Sequence, residues 1–300
     1  MQLVGRHFDT KQAVQVDVRD GVIAEIRPWG GGEDRALPWI APGLVDLQVN
    51  GYAGREFTDA ALNVETVEQV SLAMDRGGVT RYLPTVVTQE HSVQRHVLAT
   101  IARAVEASEV VRRRVAGIHL EGPYVSSEDG PRGAHAREHC RPPDWAEFQS
   151  LQEAACGNIR LLTMSPEYPG AGEFVGRVCE SGVIVSIGHT NATGEQIDAA
   201  VAAGARMSTH LGNGAHGILH RHFNYIWSQL AHDELTATLI VDGHHLPPPV
   251  VKAFVRVKSA ARVILISDIT GMAGTSSAES GRHRRTSLGD VEMLDDGRVV

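Results

Sequence analysis

Four polar residues, each at the end of a short strand-like run, define the chemistry open to this chain. Glu121 closes the run Gly117-Ile118-His119-Leu120 and is followed by Gly122-Pro123. His189 follows the run that begins at Val183, His210 follows Arg206-Met207-Ser208-Thr209, and Asp268 follows the run that begins at Val263. One carboxylate and two imidazoles suit a divalent cation with an open coordination position. Glu121, His189 and His210 are therefore the expected ligands. Zn²⁺ is the favoured ion, and Fe²⁺ or Mn²⁺ would use the same donors. Such an ion lowers the pKa of a bound water to about 7. Asp268 is then placed to take the water's proton and return it to a leaving group. A lone His after a strand is usually structural, but four such residues on one edge make a site.

Other polar residues stand near these. Gln48 and Asn50, in Asp46-Leu47-Gln48-Val49-Asn50-Gly51, could hold substrate or water, or cap the strand end. His119 lies two residues before Glu121 and so shares its face; it stands behind the ligands or belongs to the core. His244 and His245 are adjacent and point apart, so at most one acts. His216, His220, Arg221 and His222 form a basic loop, suited to an anionic group or simply solvated.

The elements that must carry these residues alternate between strand and helix patterns. Strands are expected at Ile40 to Val49 (interrupted by Pro42-Gly43), Tyr82 to Val87, Val115 to Leu120, Ile159 to Met164, Val183 to Ile187, Met207 to Leu211, Leu235 to Val241 and Val263 to Ile266. Helical patterns fill the seven connections. Eight strands alternating with helices prescribe a (β/α)8 TIM-like barrel over 41–280, whose active edge lies at the strands' carboxyl ends. A doubly wound open sheet is the alternative, but no G-x-G-x-x-G or Walker loop follows any strand. Asp20-Gly21 joins two alternating runs and signals a hairpin. A similar pattern surrounds Asp296-Gly297. Residues 1–40 and 281–300 are thus expected to form a small β-sandwich domain from the two termini.

The 300 residues are 42% hydrophobic with a formal charge of −8, which argues against nucleic acid as main partner. Arg112-Arg113-Arg114 and Arg282-His283-Arg284-Arg285 read as solvated surface. Cys140, Cys156 and Cys179 form no C-x-x-C pair and no disulfide framework. No signal peptide or membrane span is evident. A cytoplasmic protein is expected, and the fifteen histidines call for a metal or proton-transfer explanation.

The chain resembles the N-acetylglucosamine-6-phosphate deacetylase family of the amidohydrolase superfamily. The matching pieces are Ala41-Pro42-Gly43-Leu44-Val45-Asp46-Leu47-Gln48-Val49-Asn50-Gly51, His119-Leu120-Glu121-Gly122-Pro123, Gly188-His189-Thr190-Asn191-Ala192-Thr193, Thr209-His210-Leu211-Gly212-Asn213 and Asp242-Gly243-His244-His245, in family order. The resemblance implies deacetylation of a sugar phosphate. It makes Glu121, His189 and His210 the metal ligands, Asp268 the catalytic aspartate and His135 the histidine that polarises the amide carbonyl. Gln48, Asn50, Asn213, Gly214, Arg221 and His245 would bind substrate. Gln48 and Asn50 in place of H-x-H look like the branch with one metal per subunit. A homodimer is implied as well.

Three departures stand out. The family has an aromatic residue at Gly212, Ala-Met at Gly214-Ala215, and a last barrel helix with closing strands beyond Asp268, so the small β-domain is expected to be incomplete at its C-terminus. An amidohydrolase acting on another acylated amine or a cyclic amide, and a catalytically inactive metal-binding scaffold, stay open as alternatives.

Overall fold

Strand alternation sorts the side chains of this protein into two environments. The computed structural model describes residues 1–31, 37–275, 283–286 and 289–292. It divides into two units, Met1–Leu44 and Val45–Val300.

The first unit is a four-stranded sheet of β1 (Gln2–His7), β2 (Ala13–Arg19), β3 (Val22–Pro28) and β4 (Trp39–Ile40), in the order β3-β2-β1-β4. The expected hairpin joins β2 to β3. Asp20 and Gly21 both have positive φ, 52° and 78°, as a two-residue turn between twisted strands requires.

The first barrel strand, β5 (Leu44–Val49), starts at the last residue of the first unit and leads into the second, followed by a short ribbon of β6 (Gly51–Tyr52) with β7 (Arg55–Glu56). The other barrel strands are β8 (Val79–Val87), β9 (Ile118–Glu121), β10 (Ile159–Met164), β11 (Ile184–Ile187), β12 (Met207–Ser208), β13 (Thr236–Ile240) and β14 (Val263–Ile266). The eight barrel strands form one sheet in chain order. A parallel bridge from Val49 to Ile269 closes it, with Asp268 N–H donating to the Gln48 carbonyl (3.0 Å) and Asn50 N–H to that of Ile269 (2.8 Å). The helices are α1 (Val64–Met74), α2 (His91–Ala107), α3 (Glu109–Arg114), α4 (Trp145–Ala154), α5 (Ala171–Glu180), α6 (Gly194–Ala202), α7 (Tyr225–Ala231) and α8 (Pro248–Lys258). The fold is therefore a (β/α)8 barrel with a small β-unit.

Two expected boundaries shift. Pro42-Gly43 does not interrupt one strand but separates two, because Ile40 pairs with His7 of the small sheet while Leu44–Val49 enters the barrel. The C-terminal hairpin pairs β15 (His283–Thr286) with β16 (Gly289–Glu292), and the turn expected at Asp296-Gly297 lies outside the described residues, as does Arg282. The run Arg112-Arg113-Arg114 belongs to α3, which the sequence reading missed; Arg112 and Arg113 pair with Glu109, and Arg114 with Asp75.

Ile118 and Leu120 face the main apolar core between strands and helices, whereas His119 and Glu121 face the barrel axis. Inside, a polar layer is stitched together. His119 Nε2 meets Thr163 Oγ1 at 2.7 Å, Thr163 Oγ1 meets Thr209 Oγ1 at 2.6 Å, and Ser186 Oγ meets Thr209 Oγ1 at 2.6 Å. His119 is thus a satisfied interior residue beneath the site, held neutral because burial pushes its imidazole down to about 4.

The closing seam relies on one buried carboxylate. Asp46 accepts from Ser267 Oγ at 2.5 Å, and its other oxygen accepts from the Gln48 and Ser267 amides. Burial raises the Asp46 pKa. Asp46→Ala strands these donors and should lower unfolding free energy by about 2 kcal/mol, read as an earlier urea midpoint.

Candidate metal centre and active site

Parallel register brings the strand ends level: Val87 and Thr163 both sit beside Glu121. Glu121 is the last residue of β9. His189, His210 and Asp268 are each the second residue beyond the ends of β11, β12 and β14. All three lie in the left-handed region, with φ of 47°, 30° and 52°. His and Asp tolerate that region better than most residues, but it still costs free energy. The turn it makes brings each side chain over the mouth of the barrel, where three chain segments converge.

The convergence is tight. His189 Nε2 lies 3.0 Å and His210 Nε2 3.2 Å from Glu121 Oε1, and the two Nε2 atoms are 2.9 Å apart. All three residues are buried. His189 Nδ1–H donates to the Pro131 carbonyl at 2.8 Å, which leaves Nε2 as a lone-pair donor. The donor set, its burial and its fixed tautomer fit a divalent cation. Burial opposes the negative charge of Glu121, yet the bonds to His189 and His210 hold its pKa well below the usual range. For His210, burial acts to lower the pKa, but the Glu121 bond together with the charges of Asp268 and Glu121 outweighs it and raises it.

Gln48 joins this group to the fourth residue. Its Nε2 donates to both Glu121 oxygens at 3.0 Å and to Asp268 Oδ1 at 2.9 Å. Asn50 Nδ2 donates to the same Asp268 oxygen at 2.8 Å. Desolvation, and then the charge of Glu121, push Asp268 up to about 7. A cation among the ligands acts in the opposite sense.

His135 is buried, packs edge-to-face on His189 at 4.2 Å between centroids, and places Nδ1 2.7 Å from Thr88 Oγ1. Burial, with His189 as the next contributor, takes its imidazole down to about 3, so it is neutral.

Known proteins share this chain's sequence and fold. The N-acetylglucosamine-6-phosphate deacetylase of Bacillus subtilis (strain 168) is 34% identical over 265 residues, 87% of this chain and 66% of that protein. The N-acetylgalactosamine-6-phosphate deacetylase of Escherichia coli O157:H7 is 31% identical over 95% of this chain and 73% of that protein. The chain belongs to the N-acetylglucosamine-6-phosphate deacetylase family. A solved structure of a mutant of the Mycobacterium smegmatis enzyme, in complex with N-acetyl-D-glucosamine-6-phosphate, superposes with a TM-score of 0.84 at 25% identity, covering 98% of this chain and 76% of that one. The chain spans about two-thirds of the length of the curated relatives it matches. No family model matches it. Among the described residues no helix is long and apolar enough to cross a membrane.

The family's expected residues fall into two groups here. Gln48, Asn50, Glu121, His135, His189, His210 and Asp268 are brought together by the contacts above. Asn213 adjoins them, its Nδ2 donating to the His210 carbonyl at 3.2 Å. Gly214 (φ 55°) lies against His189, and a Cβ there would stand 2.8 Å from Nδ1. Arg221 and His245 are exposed. The Arg221 carbonyl accepts from Trp227 Nε1, and His245 Nδ1 pairs with Asp242 at 2.7 Å. Sequence reasoning missed Thr88 and the Pro131 carbonyl. The first looks like any strand threonine, and a carbonyl has no side-chain signature.

Glu121→Gln removes the shared anion and should weaken Zn²⁺ binding by more than about 100-fold, the upper range for losing a mere supporting partner, as measured by metal content after chelator challenge.

Proposed function

We propose that this chain deacetylates N-acetylglucosamine 6-phosphate, giving glucosamine 6-phosphate and acetate. The convergence of Glu121, His189 and His210 beside Asp268 carries this reading, together with the family membership of the chain. Two imidazoles and one carboxylate favour Zn²⁺ as the ion. When bound there, it supplies Lewis acidity, polarising the acetyl carbonyl and lowering the pKa of water.

The chain's own residues do the rest. Asp268 Oδ1 is occupied by the Gln48 and Asn50 amides, so Oδ2 is the basic oxygen. It takes the proton of the attacking water and delivers it to the departing amine. His135, neutral and buried, acts as an N–H donor toward the carbonyl oxygen. Its Nδ1 contact with Thr88 orients the ring, and in the tautomer with the proton on Nε2 that nitrogen is the donor. Arg221, His245, Asn213 and Gly214 are assigned to the sugar phosphate. A homodimer and a cytoplasmic location follow from the same reading.

One observation favours a second substrate. The E. coli O157:H7 relative is named for the galactosamine isomer. Acetate release by the metal-replete chain, assayed on both N-acetylhexosamine 6-phosphates, decides between them, and release from neither would overturn both.

Asp268→Asn should lower turnover by about 10²–10⁴-fold while metal content stays at wild type, and full activity in that variant would refute the proton-transfer role. Arg221→Ala should raise KM for the phosphorylated sugar while leaving the slow reaction of its unphosphorylated analogue unchanged, seen in paired steady-state kinetics.

A further inference from the structure

His189 is fixed from a segment that has no regular structure of its own. Pro131 holds its Nδ1, and Ser126 N–H donates to its carbonyl at 2.9 Å. Both residues belong to the long connection between Glu121 and the short turn at Arg137–His139. Early in the connection, the Tyr124 and Val125 carbonyls accept from Ser165 N–H and Tyr168 OH; further along, its internal bonds are local: Arg132 N–H to Glu128 O, Gly133 N–H to Gly130 O, and Arg132 to Asp129 and to the His135 carbonyl. Those bonds shape the segment but do not locate it over His189.

Among residues 127–134, the side chain that reaches other loops is Glu128. Its Oε2 accepts from Asn191 Nδ2 at 3.0 Å and lies 3.5 Å from His216 Nε2. Asn191 is two residues beyond His189, and His216 two beyond Gly214. His216 is itself held through its ring and its amide by Tyr225 OH, at 3.0 and 2.8 Å. Gly130 sits directly on His216, where a Cβ would lie 2.9 Å from the His216 Cα. Three loops, after β9, β11 and β12, thus meet at one carboxylate.

We propose that Glu128 is a positioning residue for the metal group: by joining Asn191 and His216 it holds the Pro131 carbonyl over His189 and so fixes the ring at its ligating angle. This rests on the reading of Glu121, His189 and His210 as ligands. Glu128 is about half exposed, its side chain at 55%. Exposed contacts of this kind add little to global stability. Its effect is therefore local, on the segment that orients the ligand, in the manner of the outer partners that orient metal-bound histidines.

The experiment uses the apoprotein and Co²⁺ as probe, reading affinity and the d–d absorption bands. Wild type, Glu121→Gln, Glu128→Ala, Glu128→Gln and the double variant Glu128→Ala/Asn191→Ala are compared, with the thermal midpoint of each apoprotein. Wild type is expected to bind one Co²⁺ and Glu121→Gln to lose it. Glu128→Ala should bind about 10-fold more weakly, with shifted bands and an unchanged apoprotein midpoint. Glu128→Gln keeps an acceptor for Asn191 and should return toward wild type. The double variant should be no weaker than Glu128→Ala. Wild-type affinity and bands in Glu128→Ala would overturn the proposal, and so would a loss that merely tracks a lower apoprotein midpoint. Failure of wild type to bind, or wild-type binding by Glu121→Gln, would instead remove the metal reading and this proposal with it.

Discussion

Three Lewis bases meet at one buried point, and the rest of the site is arranged around that fact. Two imidazole nitrogens 2.9 Å apart and a carboxylate oxygen within 3.2 Å of both, all buried, cannot stay so close without positive charge between them. A proton satisfies one pair of the three; a divalent cation satisfies all three at once. The surroundings prepare for the second case. The Pro131 carbonyl accepts the Nδ1–H of His189, so Nε2 of that ring has a lone pair to give. Gln48 donates to both oxygens of Glu121, which adds hydrogen bonds to the carboxylate without adding charge.

Such convergence requires a closed barrel. Glu121, His189, His210 and Asp268 come from four strands, and Gln48 from a fifth. Asp268 reaches Gln48 only because the last strand returns to the first. The seam there depends on a Val49–Ile269 bridge and on Asp46 gripping Ser267, the residue before the aspartate. The left-handed turns at His189, His210 and Asp268 are the local counterpart: regular strand geometry alternates faces and would not bend three polar side chains over the barrel mouth. Backbone strain at these positions is offset by the hydrogen bonds and packing of the elements beneath them.

The residues that converge at the barrel mouth were legible in the sequence because a polar residue at a strand end has few structural reasons to be there. Strand and helix order was legible for the same reason, through periodicity. What escaped has no sequence signature. The split at Pro42-Gly43 depends on which strand Ile40 pairs with, and that is a tertiary choice. The helix at Glu109–Arg114 is too short for its periodicity to register and is capped by Ser108. His119 carries the same parity as Glu121, yet its neighbours Thr85 and Thr163 make it part of the interior. The Pro131 carbonyl and the Glu128 junction involve residues that only folding brings beside His189.

The departures from the family pattern also find a physical place. At Gly212, φ is +96°, and a Cβ would meet Leu246 at 3.1 Å and Phe254 at 3.3 Å. Leu246 and Phe254 belong to one apolar cluster, so the space beside Gly212 is already filled. Two residues on, the absent Cβ of Gly214 leaves room for the His189 ring that Pro131 holds. A larger residue at 214 would press on the His189 ring, whereas one at 212 would press on the core. The first acts on how a donor is aimed and the second on how a loop is packed. Substitutions in one short motif can therefore leave the donor set intact while changing, by separate routes, how firmly it is held.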